Sequence, residues 1–218
     1  MNSSTGFDPI SLALAFAMLA LLPTVAVVST TFLKLTVVMS LLRNALGIQQ
    51  IPPNLALYGL SLILSVYIMA PVGHEIHKEL INQPQVTRSV DKMIQAVGRG
   101  AEPLRGFMLK HSSRENRDFF AKTVIDLWGP ELASQVKTTD FIILLPSFMV
   151  TELTEAFKIG FLLFLPFVVI DLIVSNILLA MGMMMVSPTM ISMPLKLFLF
   201  VMVDGWTRLI RGLILTYA

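Results

Sequence analysis

The chain has 218 residues, of which 55% are hydrophobic and 14% charged, with a mean hydropathy of +0.77. An ordinary soluble domain carries about 25% charged residues, so there is too little polar side chain here to coat a globule of this size in water; that disfavours a free soluble enzyme and excludes a disordered or collagen-like chain. Sixteen basic against 14 acidic residues point to no nucleic-acid partner, and zero Cys removes disulfides, thiolate metal sites and cysteine nucleophiles together.

The apolar stretches come first and last. Nothing is charged between Asp8 and Lys34 or between Arg43 and Glu75. Spanning a bilayer takes about 20 mostly apolar residues, which makes Ile10 to Leu33 a first span. Its flank has no Lys or Arg and no small-residue cleavage site, so it reads as a retained helix rather than a signal peptide. Gln49-Gln50-Ile51-Pro52-Pro53 forms a turn whose prolines can open a second span, Asn54 to Gly73. Lys34 and Arg43 then fall in the loop between the two spans, which the positive-inside rule places in the cytoplasm. The polar middle would lie on the other side.

That middle holds 19 of the 30 charged residues, between Glu75 and Asp140. Val86, Val90, Met93, Ile94 and Val97 follow one helix face, stopped by Gly98. Ser112 with Glu115 has the capping-box spacing, opening a helix that carries Phe119, Phe120, Val124, Leu127 and Trp128 up to Gly129-Pro130. This is a small helical subdomain. A third span runs from Ile159 to Val186, interrupted by Asp171. A fourth, Leu195 to Tyr217, contains Lys196, Asp204, Arg208 and Arg211. The expected fold is all-α and of integral membrane type. A hydrophobic helical hairpin over 1–73 and another over 141–218 flank the polar helical subdomain at 74–140.

Few residues offer chemistry. His74-Glu75-Ile76-His77 spaces its histidines three apart, not the four that a zinc-protease helix needs. No Gly-rich phosphate loop or nucleophile elbow is present. The chain reads as no enzyme, with no cofactor and no metal. Charges inside apolar segments say more, because burying one in hydrocarbon costs several kcal/mol by most estimates. Glu152, Glu155 and Lys158 lie along one helix side, and Glu155 can reach Lys158. Asp204, Arg208 and Arg211 share a face with an internal pair. Asp171 and Lys196 lack a local partner and must find one across a helix or subunit contact. These charges allow either an ion pathway or pairing that fixes register. Without a chain of carboxylates through one span, pairing is favoured.

Six of the 14 Met fall between Met181 and Met193, with Met183-Met184-Met185 consecutive, just before the Ser187-Pro188 break. Consecutive residues cannot share one helix face. Flexible apolar side chains on a break can fill a core gap or form a deformable seal.

Three motifs in order carry a family resemblance: Leu42-Arg43-Asn44-Ala45-Leu46-Gly47-Ile48-Gln49-Gln50-Ile51-Pro52-Pro53-Asn54; Thr151-Glu152-Leu153-Thr154-Glu155-Ala156-Phe157-Lys158-Ile159-Gly160-Phe161; and Met183-Met184-Met185-Val186-Ser187-Pro188 with Met193-Pro194-Leu195-Lys196-Leu197 and Val203-Asp204-Gly205-Trp206. The chain resembles, over essentially its whole length, the R-subunit family of the bacterial type III secretion export apparatus (FliP/SctR-like). The Phe107-Met108-Leu109-Lys110-His111 segment resembles the injectisome branch more than the flagellar one. The resemblance implies a core subunit of an export gate in the bacterial inner membrane, with residues 74–140 periplasmic. It implies a homopentamer joined by the S and T subunits and other export-gate components, in contact with membrane lipid and with exported unfolded proteins. The family's methionine-rich gasket, which closes the channel at rest, falls on Met183, Met184 and Met185; relatives that extend the run carry Met where this chain has Val186. Glu152, Glu155, Lys158, Asp171, Lys196, Asp204 and Arg208 then become charges paired or placed at subunit contacts. A solute or proton transporter is the rival reading; an intramembrane enzyme lacks a catalytic set.

Overall fold

The computed structural model describes residues 9–48, 51–81 and 90–218. Among them the helices are α1 Pro9–Ser29, α2 Phe32–Ala45, α3 Asn54–Ile81, α4 Val90–Gly100, α5 Glu102–His111, α6 Arg114–Trp128, α7 Pro130–Ala133, α8 Phe141–Ala180, α9 Pro188–Met202 and α10 Gly205–Leu215, with no strand among the described residues. The protein is all-α. Gln49, Gln50 and Val86, which the sequence assigns to a turn and a helix face, lie outside the described residues.

Two helices are long and apolar enough to cross a membrane, over Asn54–Glu79 and Phe141–Ala180; the broken pair Pro23–Ser29 and Phe32–Ala45 would make a third. At 1.5 Å per residue, the 40 residues of α8 extend about 60 Å, twice a bilayer's hydrocarbon core.

Two expected spans are broken. Ile10 to Leu33 stops being helical between α1 and α2, where Ser29, Thr30 and Thr31 follow one another. Ser29 Oγ donates to the Val25 carbonyl at 2.6 Å and Thr30 Oγ1 to that of Ala26 at 2.5 Å. These hydroxyls bond back to carbonyls of the helix's last turn, the local competition with the backbone that Ser and Thr offer at a helix break. Leu195 to Tyr217 breaks between α9 and α10, where Asp204 adopts the left-handed conformation at φ 56° and ψ 42°. Asp tolerates that conformation better than most residues. A side chain on Gly205 would collide with the Phe200 ring, so only Gly lets α10 leave the break at this angle. Phe200 and Trp206 meet edge to face, centroids 5.4 Å apart.

The chain forms two compact units, each discontinuous in sequence. The first comprises 1–31 and 69–151, the second 32–68 and 152–218. In the first, Met108, Leu144 and Phe148 are fully buried, with Leu104, Phe107, Phe141 and Leu145 around them. The loop between α5 and α6 differs from the expected capping box. The Ser112 amide donates to the Met108 carbonyl and closes α5. Ser113 opens α6 instead, its Oγ accepting from the Asn116 amide at 3.1 Å. One Ser ends a helix and the next begins one. Thr151 Oγ1 accepts from the Ser113 amide at 3.0 Å and from Asn116 Nδ2 at 2.9 Å, tying the loop to α8. As expected, α6 ends at Trp128 with Gly129 at φ 81°. α4 runs past Gly98 to Gly100.

The second unit is a helix-packed core. α2 contributes Leu35, Val38, Met39, Leu42 and Ala45, the recurrence of one helix face; Leu57 and Leu64 of α3, Phe167 of α8, Phe200 of α9, and Leu209 and Leu213 of α10 complete it. Along α8 the buried positions Ala156, Gly160, Phe167, Val174 and Leu178 fall four or seven residues apart, one or two turns of a single helix face, and Ala156 and Phe167 join this core. A side chain at Gly160 would run into Leu41, so the glycine sets how closely α2 approaches α8. The other faces of α8 carry Phe157, Phe161, Leu162, Val169, Leu172, Ile173 and Ile177, all more than half exposed.

Candidate functional site: buried ion pairs and a methionine loop

Lys34 stands at the edge of the buried face of α2, and Glu152 projects from α8 one turn before Ala156. Lys34 Nζ lies 3.1 Å from Glu152 Oε1, with the two side chains 5% and 1% exposed. The Tyr217 hydroxyl donates to Glu152 Oε2, and Lys34 Nζ sits 4.1 Å from the Tyr217 ring centroid. Each carboxylate oxygen therefore has a donor, and the ammonium has both a counter-charge and an aromatic face. A buried ion pair is tolerated when its charges are neutralised and hydrogen-bonded in this way.

The loop position expected for Lys34 is corrected. Lys34 is not a loop residue but a buried helical one. Arg43, in the last turn of α2, donates to Asn54 Oδ1 at 2.5 Å and to the Pro52 carbonyl at 3.5 Å. Both cations are engaged within the protein.

Asp171 and Lys196, which lacked local partners in sequence, find each other across α8 and α9 at 2.6 Å. Ser192 Oγ donates to the other Asp171 oxygen at 2.6 Å, and Lys196 Nζ also reaches the Ala45 carbonyl at 3.3 Å. An ammonium on the C-terminal carbonyls of a helix is favoured by the helix dipole. One lysine thereby joins α2, α8 and α9. A hollow of about 500 Å³ beside it is lined by Asn44, Ile48, Thr189, Met190 and Lys196.

The remaining charges are exposed. Glu155 and Lys158 pair at 2.8 Å as expected, with side chains 44% and 64% exposed. Among the described residues no ion pair joins Asp204 to Arg208; the Arg208 amide instead donates to the Asp204 carbonyl at the start of α10. Met183, Met184 and Met185 stand on the loop between α8 and α9, 40%, 82% and 102% exposed, after Gly182 at φ 72°. A left-handed residue there lets the chain turn straight out of α8. His74, Glu75 and His77 lie exposed on α3, and no group of three His, Cys, Asp or Glu among the described residues could hold a metal.

Sequence reasoning missed Lys34 and Tyr217. The signal for Lys34 was its register directly before Leu35, Val38 and Leu42. For Tyr217 it was the four-residue step through Gly205, Leu209 and Leu213, all buried.

An all-α chain with membrane-length helices, internally paired charges and an exposed apolar loop is a membrane-type structural protein. Residues 15–213 match the FliP family, and the chain belongs to that family, on its injectisome side. It is 50% identical over 210 residues to "Yop proteins translocation protein R" of Yersinia pestis, covering 96% of this chain and 97% of that protein. It is 41% identical over 211 residues to "Harpin secretion protein HrcR" of Erwinia amylovora, and 43% identical over 211 residues to "Virulence protein YscR" of Salmonella typhimurium, covering 97% of this chain in both cases. The family is a structural component of a secretion apparatus and not an enzyme.

Proposed function

We propose that the chain is a core subunit of a type III secretion export gate, building with copies of itself, as a homopentamer, and with S and T subunits the channel through which unfolded proteins leave the bacterial inner membrane. The observation that carries the gate reading is the exposure of Met184 and Met185 on a loop whose two flanking helices are fastened by the Asp171–Lys196 pair. Soft, unbranched side chains on a fixed base can close around a passage and yield to a polypeptide. The relatives' names, which speak of translocation and secretion, support the export half. α8 carries long exposed apolar faces and outruns a bilayer, which fits a helix that packs against other subunits. The exposed Glu155–Lys158 pair then belongs to contacts between copies.

Replacing Met183, Met184 and Met185 together with Ala leaves the assembled complex intact by mass and raises ion conductance of the closed channel in planar bilayers. Unchanged conductance would count against the gasket. A purified particle that is monomeric or dimeric and shows saturable solute transport would favour a transporter.

In this reading residues 74–140 are periplasmic, a placement supported by the family. The chain has no Cys, so a single Glu131→Cys is the sole thiol. It is labelled by membrane-impermeant maleimide in intact spheroplasts; labelling only after lysis reverses the topology.

A further inference from the structure

The second unit contains an apolar groove of about 440 Å³ between α8, α9 and α10. Leu163, Phe167, Leu199 and Leu209 typify its lining, in which Arg208 and Thr216 are the only polar side chains among the described residues. Thr216 Oγ1 is already committed to the Leu213 carbonyl at 2.7 Å. Arg208 is exposed, and among the described residues its guanidinium has no ion pair or hydrogen bond. Asp204, one turn earlier, does not pair with it, and Arg211, one turn later, adds a second cation on the same helix. No acid on α8 or α9 lines the groove.

A volume of this size lies within the range of small-molecule sites, about 300–1,000 Å³. At this volume the groove is on the scale of a single alkyl chain. An apolar slot with a free guanidinium at its mouth suits an amphiphile with an anionic head, because Arg binds phosphate oxygens in a bidentate fork.

We propose that this groove holds one acyl chain of an anionic phospholipid, with Arg208 on the headgroup phosphate and Arg211 adding to the local positive field. The site is independent of whether the chain conducts proteins. It requires only that the groove meets membrane lipid.

Native mass spectrometry of the detergent-purified full-length protein, in its assembled form, tests the site with added phosphatidylglycerol and phosphatidylcholine. Wild type retains phosphatidylglycerol in preference to phosphatidylcholine by about fivefold, the factor that one near-surface cation contributes. Arg208→Gln brings the two lipids to parity, and Arg208→Lys keeps part of the preference. Gly212 lines the groove, and a Cβ there meets nothing within 4 Å, so Gly212→Leu takes up groove volume and lowers retention of both lipids. Added inorganic phosphate at millimolar concentration leaves retention unchanged, because the acyl chain anchors the ligand. Equal retention of both lipids by wild type overturns the proposal. So does an unaltered preference in Arg208→Gln. Phosphate displacing the lipid would reduce the site to an anion contact, and Gly212→Leu that disrupts the oligomer while lipid retention persists would make the groove a subunit interface.

Discussion

Glu152 and Glu155 stand three residues apart on α8, and each is paired with a lysine. The first pair is closed off from solvent, reaches from α8 to α2, and is completed by Tyr217. The second joins two exposed side chains of a single helix. Their sequence context is nearly the same, yet one turn of helix separates a fastening between distant segments from a surface contact. The difference shows that what a charge does in an apolar helix depends on which face it occupies.

The largest expected effect tests that contrast directly. Glu152→Ala leaves Lys34 buried without its counter-ion, which typically costs about 3–5 kcal/mol, read as a fall in unfolding midpoint of the purified protein. The double variant Lys34→Met with Glu152→Leu should recover most of that loss, since replacing both charges by apolar groups of similar volume is often neutral. If the double variant is as unstable as the single, the pair does more than neutralise itself.

Asp171→Asn sits between the extremes. Lys196 is 6% exposed and Asp171 40%, so water compensates part of the lost charge. The expected cost is that of a hydrogen bond to a charged group, about 1.5–3 kcal/mol, in the same assay. Protease should also cut the loop between α8 and α9 faster, because that pair holds the loop's two ends.

Glu155→Ala is the smallest. An exposed pair on one helix contributes about 0.2–1 kcal/mol, so the unfolding midpoint should barely move. Its informative readout is assembly: oligomer lost at unchanged subunit stability places Glu155 at a contact between copies, while normal assembly with normal secretion removes it from the interface.

Much of this was legible along the chain. The Glu155–Lys158 pair follows from helical spacing alone, because residues three apart are neighbours on any helix. The end of α6 at Trp128 follows from Gly129-Pro130. The methionine loop follows from the Ser187-Pro188 break, because proline suits the first position of a new helix. What hydropathy blurred were the breaks at 30–31 and at Asp204, since a window average does not register a single backbone reversal inside an apolar run. Ser112 has the capping-box spacing, but its amide closes α5, and Ser113 caps α6 in its place.

The sequence by itself determined that this protein is helical, membrane-type and without cysteine or catalytic chemistry, because composition and local periodicity act through neighbours a few residues apart. Its motifs alone also carried the family. Only the tertiary structure decided that Lys34 belongs with Glu152 and Tyr217, and that Asp171 belongs with Lys196. Those partners are separated by tens of residues or more, and a buried charge takes whichever counter-charge helix packing brings within reach.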